Sequence, residues 1–267
     1  MSNGTKQKNN TETSEVITKD SLYEIDYIEL YKKAEPLRKE YKNALPFHNC
    51  FIDNFFTLST YNLILNSFPH PNSEIWKSPS NIHMQNRSVT RQSPLGLKES
   101  LLNENQRRLF MELNSGLFIT FLEKLTGIQG LIPDPYFAEG GYVMSRSGSF
   151  LDIHADFSHH DKLRLERRLN VLIYLNNESK NEYEGALNLY DKKLNLVKRI
   201  YPIANRVAIF STSDNSFHGF PEAIKCPKNM TRKSINLYYY TSPTEERGMR
   251  KILFPSDPTF SHTPTKD

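Results

Sequence analysis

Long apolar runs are missing from this chain. No segment approaches the ~20 consecutive apolar residues that a bilayer-spanning helix needs, so a helical membrane-spanning protein is excluded. Cysteine is almost absent. Cys50 and Cys226 alone make neither a disulfide framework nor an all-cysteine zinc site. Two cysteines fit a reducing compartment, and the cytoplasm is the expected location. Charge of one sign is also missing. Against 34 Lys+Arg stand 30 Asp+Glu, a net charge of +4. That balance lacks the concentrated basic stripe of a nucleic-acid-binding protein, so neither a nucleic-acid nor a membrane partner is expected. The first residues, MSNGTKQKNNTETSEV, contain no apolar stretch and do not read as a secretory signal. No internal repeat is visible.

What the chain does have is a core-forming composition. Of its 267 residues 37% are hydrophobic and 12% aromatic, enough to bury a sizeable interior. Residues 1–18 are polar and read as a disordered tail. Residues 19–134 read as a mostly helical support. One helix is expected in Ser21–Asn43, with Pro36 as a break or a new first turn. Further helices are expected over Ser59–Phe68 and Glu99–Leu125, the last stopped by Gly127. From residue 135 the texture becomes short β-rich runs, clearest at 169–176, 185–191, 206–213 and 233–241. The fold class is thus α+β with a mainly β core over 135–242, onto which the N-terminal helices pack. Residues 243–267 read as a Pro-rich tail anchored by Ile252, Leu253 and Phe254, and 19–267 as one compact domain. The helical face could also support a homodimer.

The chemistry centres on His154-Ala155-Asp156. In an extended segment, residues two apart point to one side, which sets an imidazole beside a carboxylate. His218 follows the run RVAIFSTS and precedes Gly219. Two His and one carboxylate can hold a metal on one face and leave positions open, as non-haem Fe(II) oxygenases do. Zinc accepts similar ligands. His159 and His160 are rival ligands or loop residues; His48, His70, His83 and His262 are read as structural or exposed. Beyond His218, Arg232 and Ser234 lie two apart on one strand face. Arg suits a bidentate grip on a carboxylate, and Ser adds a hydrogen bond. Tyr174 shares its strand parity with Asn170 and Leu172, which places all three on one strand face.

Taken in order, FLDIHAD, RRLNVLIYLN, GALNLY, RVAIFSTS, HGFPE and RKSINLYYY resemble the Fe(II)- and 2-oxoglutarate-dependent oxygenases, specifically the prolyl 4-hydroxylase-like group. The resemblance runs from about 136 to 241. It implies a double-stranded β-helix, a jelly-roll, cupin-like barrel. It implies Fe(II) on His154, Asp156 and His218, and 2-oxoglutarate gripped by Arg232 with Ser234 and Tyr174 assisting. O2 would be the oxidant and ascorbate a stimulant. The implied reaction hydroxylates an unactivated C–H bond while 2-oxoglutarate is decarboxylated to succinate and CO2. Asp156 argues for hydroxylation over halogenation, because related halogenases replace this carboxylate with a small residue.

The chain departs from the group's pattern at three places. Arg232 stands where many prolyl hydroxylases have Lys, Leu151 where some have Tyr, and Gly185-Ala186 where Gly-Gly is frequent. These departures weigh against a peptidyl-proline substrate, which stays the alternative. The expected substrate is a small, charged molecule. Its candidate contacts are Asn81, His83, Gln85, Arg87 and Arg91, and the loop with Phe157, His159, His160, Lys162, Arg164, Arg167 and Arg168. Two other classes remain open at this point: a zinc hydrolase on the same ligands, and a non-catalytic ligand-binding barrel.

Overall fold

Capping residues set the helices. The computed structural model describes residues 25–70, 73, 76–77, 87–90, 99–137, 140–160, 162–176 and 180–243. Helix α1 (Tyr27–Asn43) starts at Asp26, whose carboxylate accepts from the Glu29 N–H at 3.1 Å. It runs through Pro36 without ending, because Leu30, Ala34 and Tyr41 are buried on either side of the proline. Helix α2 (Leu58–Asn66) is capped by Thr57. The single helix expected over Glu99–Leu125 is instead a 3-10 turn (Glu99–Leu101), α3 (Glu104–Leu113) and α4 (Gly116–Thr126). Asn103 forms a capping box with Gln106, and Ser115 accepts from Phe118 N–H, so each side chain begins a new helix. Gly127 ends α4 in the left-handed region at φ 78°, as expected.

Two antiparallel sheets follow. Twelve strands are described: β1 (Asn49–Ile52), β2 (Trp76–Lys77), β3 (Arg87–Thr90), β4 (Ile132–Pro133), β5 (Gly141–Ser145), β6 (Leu151–His154), β7 (Glu166–Tyr174), β8 (Leu187–Tyr190), β9 (Leu196–Ile200), β10 (Val207–Ser211), β11 (His218–Phe220) and β12 (Arg232–Thr241). The larger sheet has the order β1-β10-β7-β12-β5-β3-β2, with β4 pairing β12; the smaller is β6-β11-β8-β9. The region 19–134, expected as a helical support, therefore also supplies β1 to β4 to the larger sheet. The tails at 1–18 and beyond 243, and most of the segment 78–97, lie outside the described residues.

Strand alternation decides which side chains reach the site. On β7, Leu169, Val171 and Ile173 point to the helices. They pack with Val207 and Ile209 of β10, Ile235, Leu237 and Tyr239 of β12, and Phe118, Phe121 and Leu122 of α4. The opposite parity, Leu172 and Tyr174, joins Ala208 and Phe210 of β10, Leu187 and Leu189 of β8, and Ile200 of β9 between the two sheets. Strands buried on both faces read as almost continuous apolar runs, which is why β7, β10 and β12 stand out in the sequence. The polar members of the inner face, Asn170, Ser234 and Arg232, are buried too.

Candidate metal centre

The register of β6 against β11 sets His154 directly opposite His218. Their ring centroids are 4.5 Å apart. Asp156, two residues beyond His154, turns its carboxylate to both rings: Oδ1 lies 3.5 Å from His154 Nε2, and Oδ2 lies 3.5 Å from His218 Nε2. One ligand atom from each residue fits within 4.8 Å of the others. Each imidazole is oriented by its own backbone. His154 Nδ1 donates to the Asp152 carbonyl at 2.8 Å, and His218 Nδ1 to the Ser216 carbonyl at 2.9 Å. A carbonyl only accepts, so Nδ1 carries the proton and the Nε2 lone pair is left for a metal. Burial pushes His218 down to about 4, against the pull of Asp156 and with the help of His154, so the ring is neutral near pH 7. Burial alone would raise the Asp156 pKa. Arg167 and the two imidazoles outweigh it and hold the carboxyl well below the usual range. Two neutral imidazole nitrogens and one carboxylate are a fitting donor set for a divalent transition metal.

A second polar group gathers around Tyr174, four residues beyond Asn170 on β7. Arg232 and Ser234 share the inner face of β12, and Ser234 pairs with Tyr174. The Arg232 guanidinium sits 5.2 Å from the Tyr174 ring centroid and 4.9 Å from that of Phe220. Its Nε donates to the Gly185 carbonyl at 2.8 Å. Burial lowers the Arg232 pKa, opposed by Tyr174. Among the described residues, the Tyr174 hydroxyl and the Ser145 hydroxyl are buried without a hydrogen-bond partner of good geometry, and Ser145 pairs with Arg232 across the β5–β12 ladder. A buried cation flanked by unsatisfied hydroxyls suits a carboxylate ligand. The Ser234 hydroxyl is turned elsewhere, donating to Asn236 Oδ1 at 2.8 Å. Phe210 joins the two ends: it packs between the sheets with Tyr174 and lies 4.9 Å from the His218 ring, edge to face.

Over residues 140–240 the chain matches the family model of the 2OG-Fe(II) oxygenase superfamily. Solved structures share its fold. One is a prolyl hydroxylase from Trichoplax adhaerens in complex with a hypoxia inducible factor oxygen degradation domain peptide fragment: 19% identity over 78% of this chain and 91% of that one, TM-score 0.52. Another is an oxidoreductase of the 2OG-Fe(II) oxygenase family from Burkholderia pseudomallei: 11% identity, 80% and 91% covered, TM-score 0.52. A third is the non-haem α-ketoglutarate-dependent carbocyclase SnoK of nogalamycin biosynthesis: 10% identity, 86% and 93% covered, TM-score 0.50. At such identities the likeness is one of fold, the double-stranded β-helix. No curated protein matches the chain.

The remaining candidates separate. His160 is buried and structural: its Nδ1 accepts from the Lys162 and Leu163 N–H groups and its Nε2 lies 3.2 Å from Asp134 Oδ1. His159 is exposed and bonded to Ser158. Several loop cations expected to meet substrate have other partners. Lys162 lies over the Tyr136 ring at 4.6 Å, and Arg168 donates to Thr241 Oγ1. Arg167, expected on that loop, is instead the buried ion-pair partner of Asp156, Nη2 to Oδ2 at 3.2 Å. Asn170, placed on the inner face by parity, donates to the same oxygen at 2.6 Å. Parity could have found Asn170. For Arg167 the charge run around it masked any signal. Of the Asn81–Arg91 contacts, only the backbone of Arg87 falls within the described residues.

Proposed function

We propose that His154, Asp156 and His218 hold Fe(II), that Arg232 and Tyr174 hold the distal carboxylate of 2-oxoglutarate, and that the enzyme hydroxylates a small molecule. The observation that carries this reading is the joint placement, on one barrel interior, of an oriented His-Asp-His set and a buried Arg beside an unsatisfied tyrosine hydroxyl. Iron and 2-oxoglutarate, when bound, supply the oxidising power: decarboxylation to succinate and CO2 coupled to oxygen insertion into a C–H bond.

The protein's own residues do the orienting. The Asp152 and Ser216 carbonyls keep both imidazoles in the ligating tautomer. Arg232 supplies a fixed positive charge, and the Gly185 carbonyl holds its Nε so that the rest of the fork can face a carboxylate. Phe210, Leu172 and Leu189 line the space between the sheets and exclude water from it. The charge of the substrate is less constrained than the loop sequence suggests, since Lys162, Arg167 and Arg168 already have partners; Arg164 remains exposed. A peptide substrate is the second reading. It is supported by the likeness to the Trichoplax prolyl hydroxylase and by Phe157, which is 77% exposed one residue beyond Asp156.

An anaerobic titration tests the site. Metal-free protein receives Fe(II) and then 2-oxoglutarate, and a visible metal-to-ligand charge-transfer band is expected. Asp156→Ala should abolish it, and Arg232→Ala should raise the 2-oxoglutarate concentration needed by tenfold or more, on the order of what a charge-assisted pair contributes. No band in wild type, with tight zinc binding instead, would move the hydrolase reading to the front. Succinate release across small-molecule and peptide panels then separates the two substrate readings.

A further inference from the structure

Asp156 has two oxygens, and the structure treats them differently. Oδ2 is occupied: Asn170 Nδ2 donates to it at 2.6 Å and Arg167 Nη2 lies 3.2 Å away. Those two residues hold each other, since Arg167 Nε donates to Asn170 Oδ1 at 3.0 Å. That bond fixes the amide orientation: with its oxygen turned to Arg167, its N–H group must face the carboxylate. Arg167 is itself pinned, its guanidinium 3.5 Å from the Tyr238 ring centroid. Each oxygen also lies 3.5 Å from one imidazole, Oδ1 from His154 Nε2 and Oδ2 from His218 Nε2, but among the described residues no amide or guanidinium N–H reaches Oδ1. Arg167, Asn170 and Tyr238 come from β7 and β12 of the larger sheet, while His154 and His218 come from the smaller one. The clamp thus positions the carboxylate from the opposite wall.

We propose that Arg167 and Asn170 are positioning residues that reserve Asp156 Oδ2, so that the metal receives Oδ1 alone. The proposal rests on the oxygenase reading of the same site. Its chemical consequence follows from counting. An octahedral metal bound by two imidazoles and one carboxylate oxygen keeps three open positions, enough for a two-point chelate and one more ligand. A carboxylate free to bind through both oxygens would close one of these. The clamp therefore protects the position that the cosubstrate or the oxidant needs. Partners of metal ligands commonly change affinity or activity by about 10- to 100-fold.

The test replaces iron with Co(II), whose d–d absorption reports coordination without turnover. Wild type, Asn170→Ala, Arg167→Met and Arg167→Lys are loaded anaerobically and then titrated with 2-oxoglutarate. The expected result is a changed d–d spectrum in Asn170→Ala and Arg167→Met, with 2-oxoglutarate affinity of the loaded protein lowered about tenfold or more. Arg167→Lys, which keeps the charge but not the planar fork, should fall between. Wild-type spectra and wild-type 2-oxoglutarate affinity in both truncations would overturn the proposal. If Arg167→Met fails to fold, Asn170→Ala decides alone, because it removes only the amide. Wild-type protein that takes up no metal would instead sink the oxygenase reading beneath it, a result distinguishable before any variant is made.

Discussion

The Tyr174 ring is wholly buried between the sheets, yet among the described residues its hydroxyl has no partner of good geometry. An unsatisfied buried hydroxyl costs about 1–3 kcal/mol, and a fold has little reason to keep one without a ligand to meet it. Tyr174→Phe removes the hydroxyl and almost nothing else. The ligand-free variant should be as resistant to urea as wild type, or more so by up to about 1 kcal/mol. Its affinity for 2-oxoglutarate should fall about tenfold, the loss of one hydrogen bond to a charged group. Unchanged 2-oxoglutarate affinity would remove Tyr174 from the cosubstrate site and leave the triad untouched.

Among the elements, the short pair β6–β11 matters most. Gly219 follows His218, and a Cβ there would meet the Leu151 and Asp152 carbonyl oxygens at 2.8 Å each. These are backbone atoms of β6, so the strands would have to part at the point where His154 and His218 oppose each other. Gly219→Ala should weaken Co(II) binding more than tenfold, a loss typical of disturbed metal-ligand geometry. It should leave the helical circular dichroism in place, since the helices pack on the larger sheet and this pair belongs to the smaller one; near-native metal affinity would show that the sheet yields without moving the rings. The same pair shows where sequence reading stops. Strands β7, β10 and β12 are legible because both faces are apolar. Strand β6 has two exposed residues among its four, and β11 is only three residues long, so neither carries a hydrophobic pattern. His154 and His218 were nonetheless identifiable, because their residue types and order carry chemical meaning that their strands do not. The role of Arg167 was not legible: its burial depends on Tyr238, which only the pairing of β12 with β7 brings to it.

For the whole molecule, helices and barrel share one core. Leu122 of α4 is fully buried in the same cluster as Val171, Ile209 and Leu237 of the larger sheet, and the Tyr239 hydroxyl donates to the Leu113 carbonyl of α3 at 2.6 Å. Removing the helices would strip the cover from one face of three central strands. Leu122→Ala should therefore destabilise the protein by about 2–5 kcal/mol. Helix and sheet signals should be lost in a single transition on urea denaturation. Two separate transitions would show that the barrel folds by itself.

Strand β7 divides its side chains between two unrelated jobs with a period of two: Leu169, Val171 and Ile173 seal the helices, while Leu172 and Tyr174 face the smaller sheet and Asn170 reaches Asp156. A register slip by one residue would exchange the two sets at every position. Substitutions along 166–174 can damage one job and spare the other. The deletion or insertion of a single codon there cannot, so in a mutational library this stretch should tolerate some replacements and no change of length.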